Sequence, residues 1–437
     1  YRAQRLRESR ADYPELHGLC QPCGVAKTLD LKKFMKLLLF SLWYTPEPVF
    51  KPHDFARELV RRGHEVTVIT GFPNYPVGKI YAGYHRHLKQ SEMIDGVHVL
   101  RVPHLIDHSA SVFHRLLSYT SYTLAAIFAG ATMACRPDVI WTYQIGLPGV
   151  VLALVKKAPL VHEVQDLWPE WGQTIPGGMK RGMYQLLSMQ ERLIYRSAKA
   201  IVTISNGFRE ALITKGAPDN KIIVLPNWAN EENFSPAVPD PALAKREGLG
   251  QHFCVMYVGN IGTAQALGIV VEAACLLKEI PDIEFVLIGD GVERESLERR
   301  MTAQGLTNIR FLGSRPQAQA AAYLAWADVA LIHLKPDPVY KITIPSKTYA
   351  YLAVGKPILA AAEGDTAHLI ETTGAGFTCS PGDPQALAKT VLRFYALSES
   401  ERQAMGEAGR QAFLAGYTRQ VLVDRYESLF SRIAKPL

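Results

Sequence analysis

"KLLLFSLWYTPEPVFKPHDFARELVRRGHEVTVIT", residues 36–70, decides the architecture. KLLLFSL reads as a short buried strand and EVTVIT as a second. Between them PHDFARELVRRG (52–63) puts Phe55, Leu59 and Val60 on one helical face, and Gly63 ends the helix. Short apolar strands separated by helices mean parallel βαβ units. The scheme continues through VHVLRV, DVIWTY, PLVHEV and KAIVTIS, then repeats in FCVMYVGN, IEFVLIGD, NIRFLGS, DVALIHL and KPILAA. The intervening VLPNWANEENFSPAVPDPALAKREGLG is rich in Pro, Asn and acidic residues and reads as a linker. The expected fold class is therefore α/β, with two doubly wound parallel-sheet domains facing across a cleft where ligands bind. Residues 35–228 would form the N-terminal domain and 229–415 the C-terminal one. Residues 416–437 would form a helix packing back across both.

The chain's 437 residues suffice for two such domains, and 48% apolar with 20% charged residues excludes wholesale disorder. Six cysteines without dense spacing exclude a secreted disulfide scaffold. Cys20 and Cys23 have redox or metal spacing, but no second Cys/His pair follows, so they read as incidental. Residues 1–34 are polar and basic and lack the apolar core of a signal peptide. They are expected to be a disordered extension or an artefact of gene calling, with Met35 opening the folded protein and a cytoplasmic location as the default. Residues 35–210 carry 19 Lys+Arg against 13 Asp+Glu, whereas 231–437 carry 20 against 23. A basic front half suggests an anionic surface or substrate on that side, and the excess is too scattered for nucleic acid. SYTSYTLAAIFAGATMAC (118–135) is uncharged over 18 residues. It reads as a buried or membrane-touching helix, with a true span as the alternative.

Three loops at the expected strand ends of the first half carry chemistry: WYTPEPVFKPHD (43–54), GFPNYPVGKIYAGY (71–84) and HEVQDLWPE (162–170). The last sets Glu163, Asp166 and Glu170 close together, which suits acid/base work or a sugar pocket as well as it suits a polar turn. In the second half YVGNIGTAQALG (257–268) ends a strand at Gly259, turns tightly at Gly262 and is expected to start a helix near Ala264. Glycines there let a backbone approach phosphates. LIGDGVERESLE (287–298) reads as a plain strand-to-helix turn. In IPSKTYAYLAVGKP (344–357) a short apolar helix has Lys347 on its first turn and no acid. The helix dipole favours negative charge at that end, so a lysine there makes sense if a ligand brings the negative charge.

Taken together, RGHEVTVITGFPNYPVGKIYAGY, VQDLWPE, LPNWANEENFSP, YVGNIGTAQALG, LIGDGVERE and IPSKTYAYLAVGKPIL resemble the retaining glycosyltransferases of family 4. The nearest branch is similar to the fucosamine transferases of bacterial surface-polysaccharide assembly. The resemblance spans about residues 35 to 430 and implies a GT-B fold of two Rossmann-like domains. It implies transfer of an N-acetylated amino or deoxyamino sugar from a UDP-sugar, with retention, no cofactor and no essential metal. The implied acceptor is a polyprenyl-diphosphate-linked saccharide at the inner face of the cytoplasmic membrane. On this reading the donor lies against Gly259, Asn260, Gly262 and Gln265 and against Pro345, Ser346, Lys347 and Tyr351. Lys347 and the amides of Gly262 and Ser346 would stabilise the departing diphosphate, and Asp166 would position acceptor or sugar. His53, Asp54, Asn74, Tyr75, Glu163 and Trp168 are the candidate acceptor contacts.

The sequence also departs from the family pattern. Ala350 stands where a Glu commonly holds the donor ribose, with Ile342 near the preceding motif position. Asn260 and Gln265 stand where Arg and Lys commonly hold the diphosphate. These departures leave Lys347 as the main electrostatic grip. A sugar-nucleotide 2-epimerase and a non-catalytic sugar-nucleotide-binding subunit are the rival readings.

Overall fold

The computed structural model describes residues 34–76, 78–106, 112–168 and 179–434. Cys20, Cys23, Glu170 and the expected extension through residue 33 lie outside the described residues. Two sheets carry the fold. The first contains β1 (Lys36–Phe40), β2 (Glu65–Gly71), β3 (Gln90–Ile94), β4 (Val97–Val102), β5 (Val139–Tyr143), β6 (Leu160–Val164), β7 (Ala200–Thr203) and β8 (Ile222–Val224). Its strand order is β3-β4-β2-β1-β5-β6-β7-β8, parallel except for β3 against β4. The second contains β9 (Phe253–Val258), β10 (Ile283–Ile288), β11 (Ile309–Gly313), β12 (Val329–His333), β13 (Ile358–Ala361) and β14 (Gly376–Cys379), all parallel, in the order β11-β10-β9-β12-β13-β14. In both sheets the first strand in sequence sits where the order reverses. That is the position at which doubly wound sheets open a crevice beyond their strand ends.

The eleven strand runs read from periodicity are all present. Those not legible are β3, an edge strand of alternating partial exposure, β8, only three residues long, and β14, which opens on glycine. Neither β3 nor β14 offers a continuous apolar run, and the apolar run of β8 is too short to stand out. Helix α1 (Phe50–Arg61) buries Pro52, Phe55, Ala56 and Leu59, with Val60 at the margin of that face, and ends before Gly63 at φ +94°.

The uncharged segment 118–135 falls mostly in α2 (Val112–Thr132). Tyr122, Ala126 and Ala129 are buried against the first sheet's core, and the Tyr122 hydroxyl donates to the Ile69 carbonyl at 2.9 Å. Leu124 and Phe128 stay exposed. No described helix is long and apolar enough to cross a membrane, so the segment is a packed helix of the first lobe and the spanning alternative falls.

The chain crosses between lobes twice. After the second lobe the helix Arg419–Ile433, capped by Thr418 Oγ accepting from the Val421 amide at 3.2 Å, returns to the first. There Leu422, Val423, Tyr426, Leu429 and Phe430 join a core with Leu37, Phe55 and Trp141. Tyr426 lies 4.6 Å from Phe55 between ring centroids.

Candidate active site

A cavity of about 830 Å³ lies between the carboxyl ends of the two sheets, within the size range of pockets that enclose small organic ligands. Its second-lobe wall is built around the helix Ser346–Val354. Pro345, extended at ψ 143°, fixes the entry to this helix. No described side chain caps it and no acid occupies its first turn, so the amides of Ser346 and Lys347 are left to a ligand, while that of Thr348 donates to the Pro345 carbonyl at 2.9 Å. At the far end Gly355 at φ +75° closes it, and Thr348 through Val354 are all buried.

Lys347 reaches the cavity from that first turn. Its amine is buried, has no hydrogen-bond partner among the described residues, and lies 3.6 Å from the centroid of the Tyr257 ring. Burial holds its pKa well below the ordinary lysine value. A buried amine over a π face, without a hydrogen bond among the described residues, is costly unless something anionic joins it. The backbone opposite is shaped to admit it. A Cβ on Gly259 (φ +146°) would stand 2.9 Å from Lys347 Nζ, and one on Gly289 (φ +149°) would stand 1.8 Å from the Gly259 carbonyl oxygen. Both positions therefore exclude a side chain. His333, behind this wall, shares its Nδ1 hydrogen with the Gln265 carbonyl oxygen at 2.7 Å. Burial pushes His333 down to about 4, with the neighbouring Lys347 acting in the same direction. It is thus neutral near pH 7 and adds no second charge.

Gly259, Asn260, Gln265, Pro345, Ser346 and Tyr351 line the cavity with Lys347. The Tyr351 hydroxyl is committed to β9, accepting from the Val258 amide at 2.9 Å and donating to the Val258 carbonyl at 3.2 Å. Gly262 is a correction. It does not line the cavity, and Gln265 Oε1 accepts its amide at 3.2 Å, so that N–H is turned inward to hold the loop. The helix expected near Ala264 is also displaced: Thr263–Gln265 make one 3₁₀ turn, Ala266 is left-handed at φ 45°, and the helix runs Gly268–Leu276. Ala350 does line the cavity. Ile342 packs instead against the first lobe, where Ser205 Oγ donates to its carbonyl at 2.7 Å.

On the first lobe the expected contacts divide. Asp54 lines the cavity, with Arg57 at 3.3 Å and Arg419 at 3.9 Å, and burial raises its carboxyl pKa. His53 does not line it, because its ring bridges the Tyr44 hydroxyl (3.1 Å) and Asp95 (3.0 Å). The amides of Asn74 and Tyr75 both donate to Glu47 Oε1 at 2.8 Å, which ties the second loop to the first. Trp168 packs its ring against Tyr119, and its carbonyl accepts from the Lys215 ammonium. Asp166 stands outside the cavity wall.

The paired-carboxylate reading of 162–170 does not hold for Glu163, which is fully buried and serves as an anchor. It accepts from Lys51 Nζ at 2.7 Å, the Tyr426 hydroxyl at 2.7 Å, Gln165 Nε2 at 2.6 Å and Trp141 Nε1 at 3.0 Å.

Several cavity residues were not legible in sequence. Lys51 stands on the first turn of α1, donates to Asn227 Oδ1 at 2.7 Å, and lies 5.0 Å from the Trp228 ring centroid. Asn227 and Tyr143 join it on the wall, and Gly289, Asp290 and Arg315 complete the second lobe. The available signal for most of them was position: Tyr143 ends β5, and Asn227, Gly289, Asp290 and Arg315 stand just past the ends of β8, β10 and β11, whereas Lys51 lies in α1, well beyond β1. Among the described residues no group of three or more His, Cys, Asp or Glu is placed to hold a metal ion.

Residues 52–228 match the family model described as Glycosyl transferase 4-like domain, and residues 252–396 match Glycosyl transferases group 1. WcaI of Escherichia coli K12, named as a glycosyl transferase of colanic acid biosynthesis, is 28% identical over 410 residues, which cover 89% of this chain and 99% of WcaI. WbjE of Pseudomonas aeruginosa, named as a glycosyltransferase, is 27% identical over 270 residues, covering 60% of this chain and 66% of WbjE. Among solved structures, the sucrose-phosphate synthase of Thermosynechococcus elongatus superposes with a TM-score of 0.69 at 17% identity, covering 91% of this chain and 98% of that one. HepE of Anabaena, solved with UDP and glucose, gives 0.65 at 18% identity, covering 91% and 100%.

Proposed function

The chain is a glycosyltransferase of the GT-B fold, and on that premise we propose that it moves an N-acetylated amino or deoxyamino sugar from a UDP-sugar to a polyprenyl-diphosphate-linked saccharide. Transfer proceeds with retention, at the cytoplasmic face of the inner membrane, in the assembly of a surface polysaccharide. The observation that carries the reading is the buried amine of Lys347, without a hydrogen bond among the described residues, on the first turn of an uncapped helix whose Pro345, Ser346 and Lys347 line one cavity. A nucleoside diphosphate supplies the two things this corner lacks, an anion for the amine and acceptors for the amides. As the glycosidic bond breaks, negative charge grows on the departing phosphate, and groups already aimed there stabilise it most. Fucosamine and its relatives are the proposed sugar branch. Residence at the membrane is supported by the exposed Leu124, Phe128 and Leu154 and by the excess of basic over acidic residues in 35–210.

Thermal stabilisation by a panel of nucleotide-sugars tests the donor. UDP-linked amino sugars are expected to raise the melting temperature most, since ligand at a hundred times its Kd adds about 2.7 kcal/mol. A panel without any stabilising member would defeat the assignment, and the anomeric coupling in the product's proton NMR spectrum reads retention or inversion directly.

Lys347 gives the binding step a pH signature. Burial lowers its pKa in the free protein, and a bound diphosphate raises it. Between the two values donor binding takes up a proton, so affinity is highest below the free-state pKa and falls as pH rises toward the bound-state value. Calorimetry of UDP binding across a pH series, in buffers of different ionisation enthalpy, is expected to show net proton uptake in the window between the free-state and bound-state values. An enthalpy independent of the buffer would contradict this role for the amine.

A further inference from the structure

Beside the cavity, the loops at the carboxyl ends of β1, β2 and β6 gather four aromatic rings. Trp43 follows β1, Tyr75 follows β2, Tyr119 projects from α2 and Trp168 follows β6. Ring centroids are 6.1 Å apart for Trp43 and Tyr75, 6.2 Å for Trp43 and Tyr119, and 6.1 Å for Tyr119 and Trp168. None of the four is fully buried, and Tyr75 is 41% exposed. Linked aromatic rings left partly in water on the ligand-binding end of a sheet mark a place where something else covers them.

Asp166 stands close enough to Tyr119 for its charge to bear on that phenol, as does Arg115. The loop carrying it is clamped. Gln144 Oε1 accepts from the amides of Gln165 (2.9 Å) and Asp166 (3.0 Å), and Gln144 Nε2 donates to the Asp166 carbonyl (2.9 Å). Gln144 makes these bonds from a left-handed backbone at φ 63°, a conformation that costs a residue with a side chain about 1–2 kcal/mol. Three bonds thus fix the Asp166 backbone, while its carboxylate makes no hydrogen bond among the described residues.

We propose that this shelf seats the terminal pyranose ring of the saccharide acceptor, with an apolar sugar face against Trp43 and Tyr119 and sugar hydroxyls donating to Asp166. The proposal rests on the transferase reading above and adds where the acceptor binds and by what chemistry. A pyranose presents axial C–H bonds on one face, which suit the negative face of an aromatic ring, and hydroxyl donors at its edge, which suit a free carboxylate. The same carboxylate disfavours a phosphate, so the diphosphate of a lipid carrier lies away from the shelf. From Tyr119 onward α2 also carries the exposed Leu124 and Phe128, placing an apolar face on the helix that supplies the ring.

The test uses the full chain with undecaprenyl-diphosphate-linked N-acetylglucosamine in micelles as acceptor, and methyl glycosides as soluble probes. Trp43→Ala and Tyr119→Ala are each expected to raise the acceptor KM at least tenfold while the KM for the UDP-sugar moves less than twofold. Tyr119→Phe, which keeps the ring, restores most of the loss, and Asp166→Asn, a substitution at an exposed position, raises the acceptor KM again. An acceptor KM unmoved by Trp43→Ala, Tyr119→Ala and Asp166→Asn overturns the shelf. For a readout independent of turnover, saturation-transfer NMR from aromatic protons to methyl N-acetylglucosaminide is expected in the wild type and lost in the folded Trp43→Ala/Tyr119→Ala double variant. Equal transfer in that variant also overturns it. A chain that binds no UDP yet shows this ring-to-sugar transfer sinks the donor reading alone and supports the shelf.

Discussion

Lys347→Ala is expected to lower sugar transfer at least tenfold and to leave the folded chain as stable as before, or more so. The two halves of this result share one cause. A charge-assisted contact to phosphate contributes roughly 1.5–3 kcal/mol, and each 1.4 kcal/mol is tenfold. Without donor, the same amine is a buried polar group over the Tyr257 ring with no hydrogen bond among the described residues, so its removal lifts a desolvation cost. Transfer assayed with a UDP-sugar and a lipid-linked acceptor reads the first half, and urea melts without ligand read the second. An alanine variant with full activity would remove the electrostatic account of the helix Ser346–Val354. One that is both inactive and strongly destabilised would reassign Lys347 to the core.

Glu163→Gln is expected to show the opposite pattern, a large loss of stability. The carboxylate is fully buried and accepts from four side chains, one of them the Lys51 ammonium. Removing its charge leaves Lys51 without a counter-ion in a site where burial already lowers the lysine's pKa. Breaking such a pair costs about 3–5 kcal/mol, visible as a fall in the urea midpoint at unchanged slope. Tyr426→Phe should give a smaller loss of the same kind, because it deletes one donor and keeps the ring packed on Phe55. A Glu163→Gln variant as stable as the wild type would mean that the network is dispensable.

The contrast between these two residues explains what was legible in the sequence. Buried strands such as KLLLF and IEFVLI announce themselves, because burial on both faces requires an unbroken apolar run. The order of such runs was enough for both sheets. Lys347 was also legible, since a cation on a helix's first turn contradicts the dipole and asks for a reason. Glu163 was misread because a carboxylate near strand-end polar residues looks the same whether it faces substrate or four internal donors. Three of those donors, Lys51, Trp141 and Tyr426, lie 112, 22 and 263 positions away in the chain. Gly262 was misread for a local version of that reason: its amide satisfies Gln265 three residues on, which composition does not reveal. Lys51 was passed over because the helical pattern was traced from residue 52, one position beyond it.

The C-terminal helix Arg419–Ile433 has an engineering consequence. It belongs to the first lobe by packing and to the second by chain order, so the polypeptide cannot be cut into two self-sufficient pieces at the linker. A fragment ending near residue 230 would leave Phe55 and Trp141 in water, stripped of Leu422, Tyr426 and Phe430. The linker and this helix are also two separate straps. Direct ties between the lobes, Ser205 Oγ on the Ile342 carbonyl and the Gly207 amide on Asp365 Oδ2, add to these straps, so severing either strap alone leaves the lobes joined.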